Sequence, residues 1–235
     1  MSTVVSFGAG GEEPYALVLG GGGGTALALR RLDDPGGSVE MDVADWWSPA
    51  SEIDLGVLAR VQGPLLDIGC GPGRMVRAAE AHSLAALGID VSAHAAALAG
   101  AGGTPVLRRS VFDRLPLEGL WGTALLMDGN IGIGGDPDAL LARCAELIAE
   151  DGRIVVEVDA DPDLFDCAEY TAVGHGGRES APFPWARVGS AAIARLAAGR
   201  GLAVDDAWAA GARRFVVLRR KAPLAAPPTD GRNHD

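Results

Sequence analysis

The segment Leu65-Leu66-Asp67-Ile68-Gly69-Cys70-Gly71-Pro72-Gly73-Arg74 constrains this chain more than any other. An apolar run carrying one acid gives way to three glycines at alternate positions. Short apolar runs of this kind form buried parallel strands. The glycines permit a tight turn and let a ligand approach backbone where a Cβ would collide with it. A helix starting near Gly73 would turn its free N–H groups toward that ligand. The segment therefore predicts strand, turn and helix wrapped around a binding site.

Downstream the pattern repeats. Strand Leu65–Ile68 leads to a helix from about Gly73 to His82. Strand Ala86–Ile89 ends at Asp90, and Ser92 caps an alanine-rich helix. Strand Pro105–Leu107 precedes Ser110-Val111-Phe112-Asp113, and strand Thr123–Met127 ends at Asp128. Asp136-Pro137-Asp138 opens a helix with Leu140, Leu141, Cys144, Leu147 and Ile148 on one side, closed by Gly152. Strand Arg153–Val158 ends at Asp159, Ser190 caps a helix reaching Gly199, and strands Leu202–Ala207 and Arg214–Leu218 form an antiparallel pair. Such alternation requires a mostly parallel sheet covered on both faces.

Upstream, Thr25–Leu32 and Ser38–Val43 alternate around an Asp-Asp-Pro-Gly-Gly turn, which predicts a β-hairpin. Ser48-Pro49 predicts a helix start, with Ile53, Leu55 and Leu58 facing inward and an end near Val61. Five consecutive glycines, Gly20–Gly24, are too floppy to hold phosphates in one geometry and read as a connector. The expected organisation is a flexible N-terminus over 1–13, a hairpin and helical cap over 14–62, a binding domain over 63–221 and a disordered tail over 222–235.

Ligands of open α/β sheets bind beyond the C-terminal strand ends. Asp67, Asp90, Asp128 and Asp159 all fall there. Asp90 lies at roughly the 20-residue offset expected of an acid that accepts two hydrogen bonds from ribose hydroxyls. The glycine spacing is Gly-x-Gly-x-Gly, not the Gly-x-Gly-x-x-Gly of a pyrophosphate loop. Asp67 beside it would repel a pyrophosphate and suit an ammonium.

These residues resemble the first motif of the class I S-adenosylmethionine-dependent methyltransferases, and the resemblance extends over about 48–221. It implies an α/β Rossmann-like fold: a mostly parallel seven-stranded sheet, helices on both faces and a C-terminal antiparallel strand. It implies S-adenosyl-L-methionine as cofactor and a methyltransferase domain over 63–221. By the same resemblance, Asp67, Gly69, Cys70, Gly71 and Gly73 hold the amino acid part, Asp90 the ribose, and Val91 flanks the adenine. The third motif maps to Ser110 and Val111. Ser110 departs from the family's acid, and Asp113 is the alternative contact. The fourth maps to Met127-Asp128-Gly129-Asn130, where the reactive methyl should point. Trp46 and Trp47 belong to the cap that closes over the cofactor in relatives, with core packing as the default reading for both.

Candidates for moving a proton or orienting the acceptor are Asp128, Asn130, Asp159 and His175. Asn130 reads equally as a turn residue and His175 as an exposed loop histidine. Glu169, Tyr170, Phe183 and Trp185 either line an acceptor pocket or anchor their loop. The net charge of −11 disfavours nucleic acid as substrate, and the basic run from Arg213 to Lys221 reads as a solvated strand end. No stretch has the roughly 18 apolar residues of a membrane span, and residues 1–13 lack a secretory pattern, so the expected setting is cytoplasmic. Cys70, Cys144 and Cys167 show no metal-type spacing, and no metal is expected. Nothing in the sequence specifies an oligomer. The reading is a methyltransferase with a small-molecule O- or N-acceptor. The alternatives are a cofactor-binding protein without catalysis and a nicotinamide-dependent reductase.

Overall fold

The computed structural model describes residues 26–34, 38–42, 46–174, 177 and 179–221. The Gly20–Gly24 run, His175 and the two terminal segments lie outside them.

The first strands are β1 (Ala26–Arg31) and β2 (Ser38–Asp42), followed by helix α1 (Glu52–Leu58). Then come β3 (Leu65–Ile68), α2 (Arg74–Ala81), β4 (Ala86–Asp90), α3 (Ala93–Ala101), β5 (Val106–Arg108) and β6 (Trp121–Leu126). A 3-10 turn over Asn130–Gly135 leads into α4 (Pro137–Leu147) and β7 (Ile148–Val158). The chain continues through β8 (Phe165–Val173), β9 (Phe183–Val188), α5 (Ser190–Gly199), β10 (Leu202–Ala210) and β11 (Arg213–Arg220).

Seven strands form one sheet in the order β10-β11-β7-β6-β3-β4-β5. β11 runs antiparallel to both of its neighbours, and the pairs from β7 to β5 are parallel. This is the expected mostly parallel sheet, and its central strands β3 and β6 are buried along their whole length. Side chains alternate across it. Leu66 and Ile68 belong to one core cluster with Leu140 and Leu141 of α4 and Ile193 and Ala197 of α5. Leu65 meets Val57 of α1 and Met75 of α2 on the other face.

The predicted hairpin forms, with Leu29 opposite Val39. It does not stand alone. β1 also pairs antiparallel with β8, and β8 with β9, giving a second sheet in the order β2-β1-β8-β9. Its inner face supplies Leu27, Leu29, Tyr170, Phe183 and Trp185 to a separate core that Trp46 joins. Trp46 and Trp185 are thus packed anchors. The sheet is a roof over the C-terminal ends of β6 and β7.

The roof meets the floor at Gly132, where a Cβ would stand 2.3 Å from the Ala186 carbonyl oxygen and 2.6 Å from the Trp185 ring. Gly132→Ala must push a strand of the roof away. Overpacking of this kind costs about 1–3 kcal/mol, and urea denaturation should report a loss of at least that size.

Three helix ends differ from the sequence expectation. α5 has Gly189 at its N-cap and no side-chain cap hydrogen bond, with Ser190 already helical. α1 is capped by Ser51, not Ser48, because Ser51 and Asp54 form a reciprocal capping box. The shift leaves Leu55 at 37% exposure and turns Asp54 and Val57 inward. α4 stops at Leu147, and Ile148 already has extended backbone. Gly152 is no helix cap; it packs where a Cβ would lie 2.8 Å from the Trp121 carbonyl oxygen.

Candidate functional site

After β3 the backbone turns through Gly69, Gly71 and Gly73, at φ of 70°, 54° and 83°. A Cβ at Gly69 would stand 2.7 Å from Asn130 Nδ2. That amide donates to the carbonyls of Ile68 (2.8 Å) and Gly69 (3.0 Å). Asn130 therefore clasps the turn. On the other side, Asp90 accepts from the N–H of Gly71 (2.9 Å) and of Ser92 (2.8 Å), which fastens the turn to the end of β4. Cys70 packs its sulfur over Gly88, where a Cβ would lie 2.5 Å away. Burial pushes the Cys70 thiol well up, so it stays protonated as a packing group.

Asp67 is 2% exposed and accepts no hydrogen bond from any described residue. Burial raises its carboxyl from 3.8 to about 7; Arg74 opposes the shift, while Asp128, Asp90 and Asp54 add to it. A buried carboxylate in this position is costly until a cation joins it.

The ends of β4 and β5 lie side by side, and the Arg109 N–H donates to the Asp90 carbonyl. Here Ser110 and Asp113 interlock. The Ser110 N–H donates to the Asp113 carboxylate (3.1 Å), and the Ser110 hydroxyl accepts from the Phe112 N–H (3.2 Å). The Val111 side chain is buried in the main core, and Arg143 donates to the carbonyls of Val111 and Asp113. Val91 is half-buried, with its carbonyl facing Arg108 Nε at 3.3 Å.

Beyond β6, Asp128 takes a left-handed φ of 54°, and its N–H donates to Glu157 (2.8 Å). Its carboxylate pairs with Arg74 (2.9 Å) and Arg213 (3.4 Å). Arg74 also binds Asp54 (3.2 Å), and Arg213 binds both Asp54 (2.8 Å) and Glu157 (2.6 Å). Five charged side chains from α1, α2, β7, β11 and the loop after β6 thus form one network. Burial pushes Asp54 up, but the Arg74 charge, the Ser51 backbone N–H and Arg213 outweigh it and leave its pKa at about 2.

Between this network and the roof lies a cleft of about 260 Å³. Its polar lining is Asp128, Glu157, Asp159, Arg187 and Arg213, and its apolar lining includes Leu29, Val39, Ile131, Val158 and Trp185. Asp159 pairs with Arg187, and its carboxylate also accepts from the Asp161 N–H.

No protein-family model matches this sequence, and no curated protein matches it. Solved structures do. An S-adenosylmethionine-dependent methyltransferase from Bacteroides fragilis, in complex with S-adenosyl-L-homocysteine, superposes with a TM-score of 0.72 at 17% identity, over 89% of this chain and 94% of that one. The 1,6-didemethyltoxoflavin-N1-methyltransferase of Burkholderia thailandensis gives 0.55 at 19% identity, over 77% and 83%. A sugar N-methyltransferase from Streptoalloteichus gives 0.53 at 19%, over 76% and 89%. This is the class I methyltransferase fold.

On the methyltransferase fold, the structure brings the sequence-predicted residues into two adjoining groups. Asp67, Gly69, Cys70, Gly71, Gly73 and Asp90 meet at the glycine turn, with Val91, Ser110, Val111 and Asp113 beyond β4 and β5. Asp128 and Asn130 adjoin the turn from β6, which pairs directly with β3. His175 falls outside the described residues. Glu169 is exposed, and Tyr170 and Phe183 are buried in the roof's core. Sequence reasoning missed Asp54, Arg74, Glu157 and Arg213. Arg213 is no solvated strand end. Its neighbours are also engaged: Arg219 pairs with Asp205 at 2.7 Å, and Arg220 donates to the Ala145 carbonyl. One signal for Asp54 was present, the Ser51-x-x-Asp54 capping spacing.

Proposed function

We propose that this chain is an S-adenosylmethionine-dependent methyltransferase acting on a small-molecule acceptor through oxygen or nitrogen. The observation that carries the reading is Asp67, a buried carboxylate without a hydrogen-bond partner among the described residues, set before a turn of left-handed glycines. An amino acid ammonium satisfies it, and a diphosphate does not. The cradle fits as well: a side chain at Gly69 would strike Asn130. In this reading Gly69, Cys70, Gly71 and Gly73 line the amino acid part. Asp90 takes the ribose hydroxyls while keeping the turn in place. Val91, Ser110, Val111 and Asp113 surround the adenine. The cofactor, when bound, supplies an electrophilic methyl on a positively charged sulfur. The chain's own part is to hold the acceptor aligned and dry in the cleft beside Asp128. The two N-methyltransferases named above act on a didemethyltoxoflavin and a sugar, which supports a small acceptor. The chain's acidity supports one that is not nucleic acid, and no described helix is long and apolar enough to cross a membrane. We place the enzyme in the cytoplasm.

A cofactor-binding protein without catalysis would need the acceptor side plugged. Trp185 forms a wall of the cleft instead of filling it, and Trp46 packs in the roof's core. A nicotinamide-dependent reductase would place phosphates beside Asp67. Calorimetry decides among these: S-adenosylmethionine and S-adenosylhomocysteine should bind and NADH should not. Asp90→Ala should weaken cofactor binding by about 1–3 kcal/mol, because it removes a charged hydrogen-bond acceptor. NADH binding as tight as either would overturn the reading.

A further inference from the structure

We infer that the acceptor atom is the nitrogen of a small amine, seated with its apolar flank under Trp185 and its nitrogen toward Asp128; the inference rests on the methyltransferase reading. The cleft that adjoins Asp128 measures about 260 Å³, under the roughly 300–1,000 Å³ of pockets for drug-sized ligands. It therefore takes a small molecule, or the small reacting end of a larger one. The apolar lining of Leu29, Val39, Ile131, Val158 and Trp185 calls for hydrocarbon on part of the ligand.

The charged lining decides the atom. Three carboxylates, Asp128, Glu157 and Asp159, line the cleft with Arg187 and Arg213, and with Asp54 and Arg74 bound behind them the group holds four acids against three guanidiniums. An excess of negative charge in a confined cleft favours a cation over an anion. These carboxylates also have their hydrogen bonds in place. Asp128 binds Arg74 and Arg213; Glu157 binds Arg213 and the Asp128 N–H; Asp159 binds Arg187 and the Asp161 N–H. A hydroxyl acceptor needs a base aimed at its proton, and each lining carboxylate is already turned to an arginine. An amine reacts without such a base. It arrives as the ammonium and gives one proton to water, which leaves a nitrogen lone pair. That pair forms the new N–C bond to the methyl as the C–S bond breaks, and the bonding electrons stay on sulfur as a neutral thioether. The product nitrogen carries a positive charge, which the carboxylate excess stabilises, and a further proton can leave to water afterwards.

Three probes with one carbon skeleton test this: benzylamine, benzyl alcohol and benzoate, titrated at pH 7.5 by ligand-observed NMR against the full chain saturated with S-adenosylhomocysteine. Benzylamine should bind at least tenfold more tightly than either of the others. Asp159→Asn, which neutralises the carboxylate excess, should reduce that preference at least threefold, with its S-adenosylhomocysteine affinity serving as the check on folding. Equal or tighter binding of the alcohol or the benzoate, or no saturable binding of the amine, would overturn the amine assignment. Failure of S-adenosylhomocysteine to bind in the preceding calorimetry would overturn the methyltransferase reading instead, so the two failures are distinct.

Discussion

Asp67→Asn should abolish useful cofactor binding and at the same time make the empty protein more stable at pH 8. The first effect follows from removing one member of a buried charge pair, which costs about 2–5 kcal/mol of affinity. The second follows from the state of the site before binding. Folding raises the Asp67 pKa from 3.8 to about 7. A carboxyl whose pKa is raised by folding opposes the fold once ionised. Its penalty is absent below pH 4, grows as pH rises, and is complete above pH 7. At about 1.4 kcal/mol per pH unit, the penalty at pH 8 is on the order of 4 kcal/mol. Asn carries none of it. Urea denaturation at pH 8 and at pH 4 should therefore show the variant gaining stability over the parent at the higher pH and little at the lower. A site that gives up stability for binding is expected where a ligand completes the charge balance.

Arg74→Met should act in the opposite direction. Arg74 is 5% exposed and holds Asp54, 3% exposed, together with Asp128. Removing the cation leaves the Asp54 carboxylate buried with Arg213 as its remaining guanidinium, and breaking such a pair costs about 3–5 kcal/mol. The signature in pH differs from that of Asp67. Folding depresses the Asp54 pKa to about 2, so its contribution is present above about 4 and lost as pH falls toward 2. The double substitution with Asp54→Asn should recover part of the loss, since no uncompensated charge remains. A double variant no more stable than Arg74→Met alone would mean that the pair is not the source of the effect.

The glycine turn was legible because its demands are local: left-handed backbone at Gly69, Gly71 and Gly73 is written in the residues themselves. Strand order was implied by the alternation of apolar runs with capped helices. β8 and β9 were not legible. Pro162, Pro182 and Pro184 and the glycines near 174–177 make that stretch look like a loop. Pro184 is tolerated because β9 is an edge strand, and β8 pairs with a strand from the far end of the chain. Periodicity reports which side chains share a face, but not which distant strand they will meet. Arg213 was obscured for a related reason. Its basic sequence neighbours suggest a solvated cluster, whereas strand alternation separates them in space and sends Arg213 to Asp54 and Glu157. Asn130 was read as either a turn residue or an acceptor contact, and its clasp on two carbonyls depends on a loop that returns to β3 from β6.

The central claim is that a buried carboxylate without a hydrogen-bond partner among the described residues awaits the cofactor's ammonium. Proton release on S-adenosylhomocysteine binding tests it most directly, by calorimetry at pH 6 in two buffers of different ionisation enthalpy. With a free-state pKa of about 7 for Asp67, close to one proton should leave per molecule bound at pH 6. Almost none should leave at pH 8, or from Asp67→Asn if it retains measurable binding. Tight binding at pH 6 with no proton released would contradict the account.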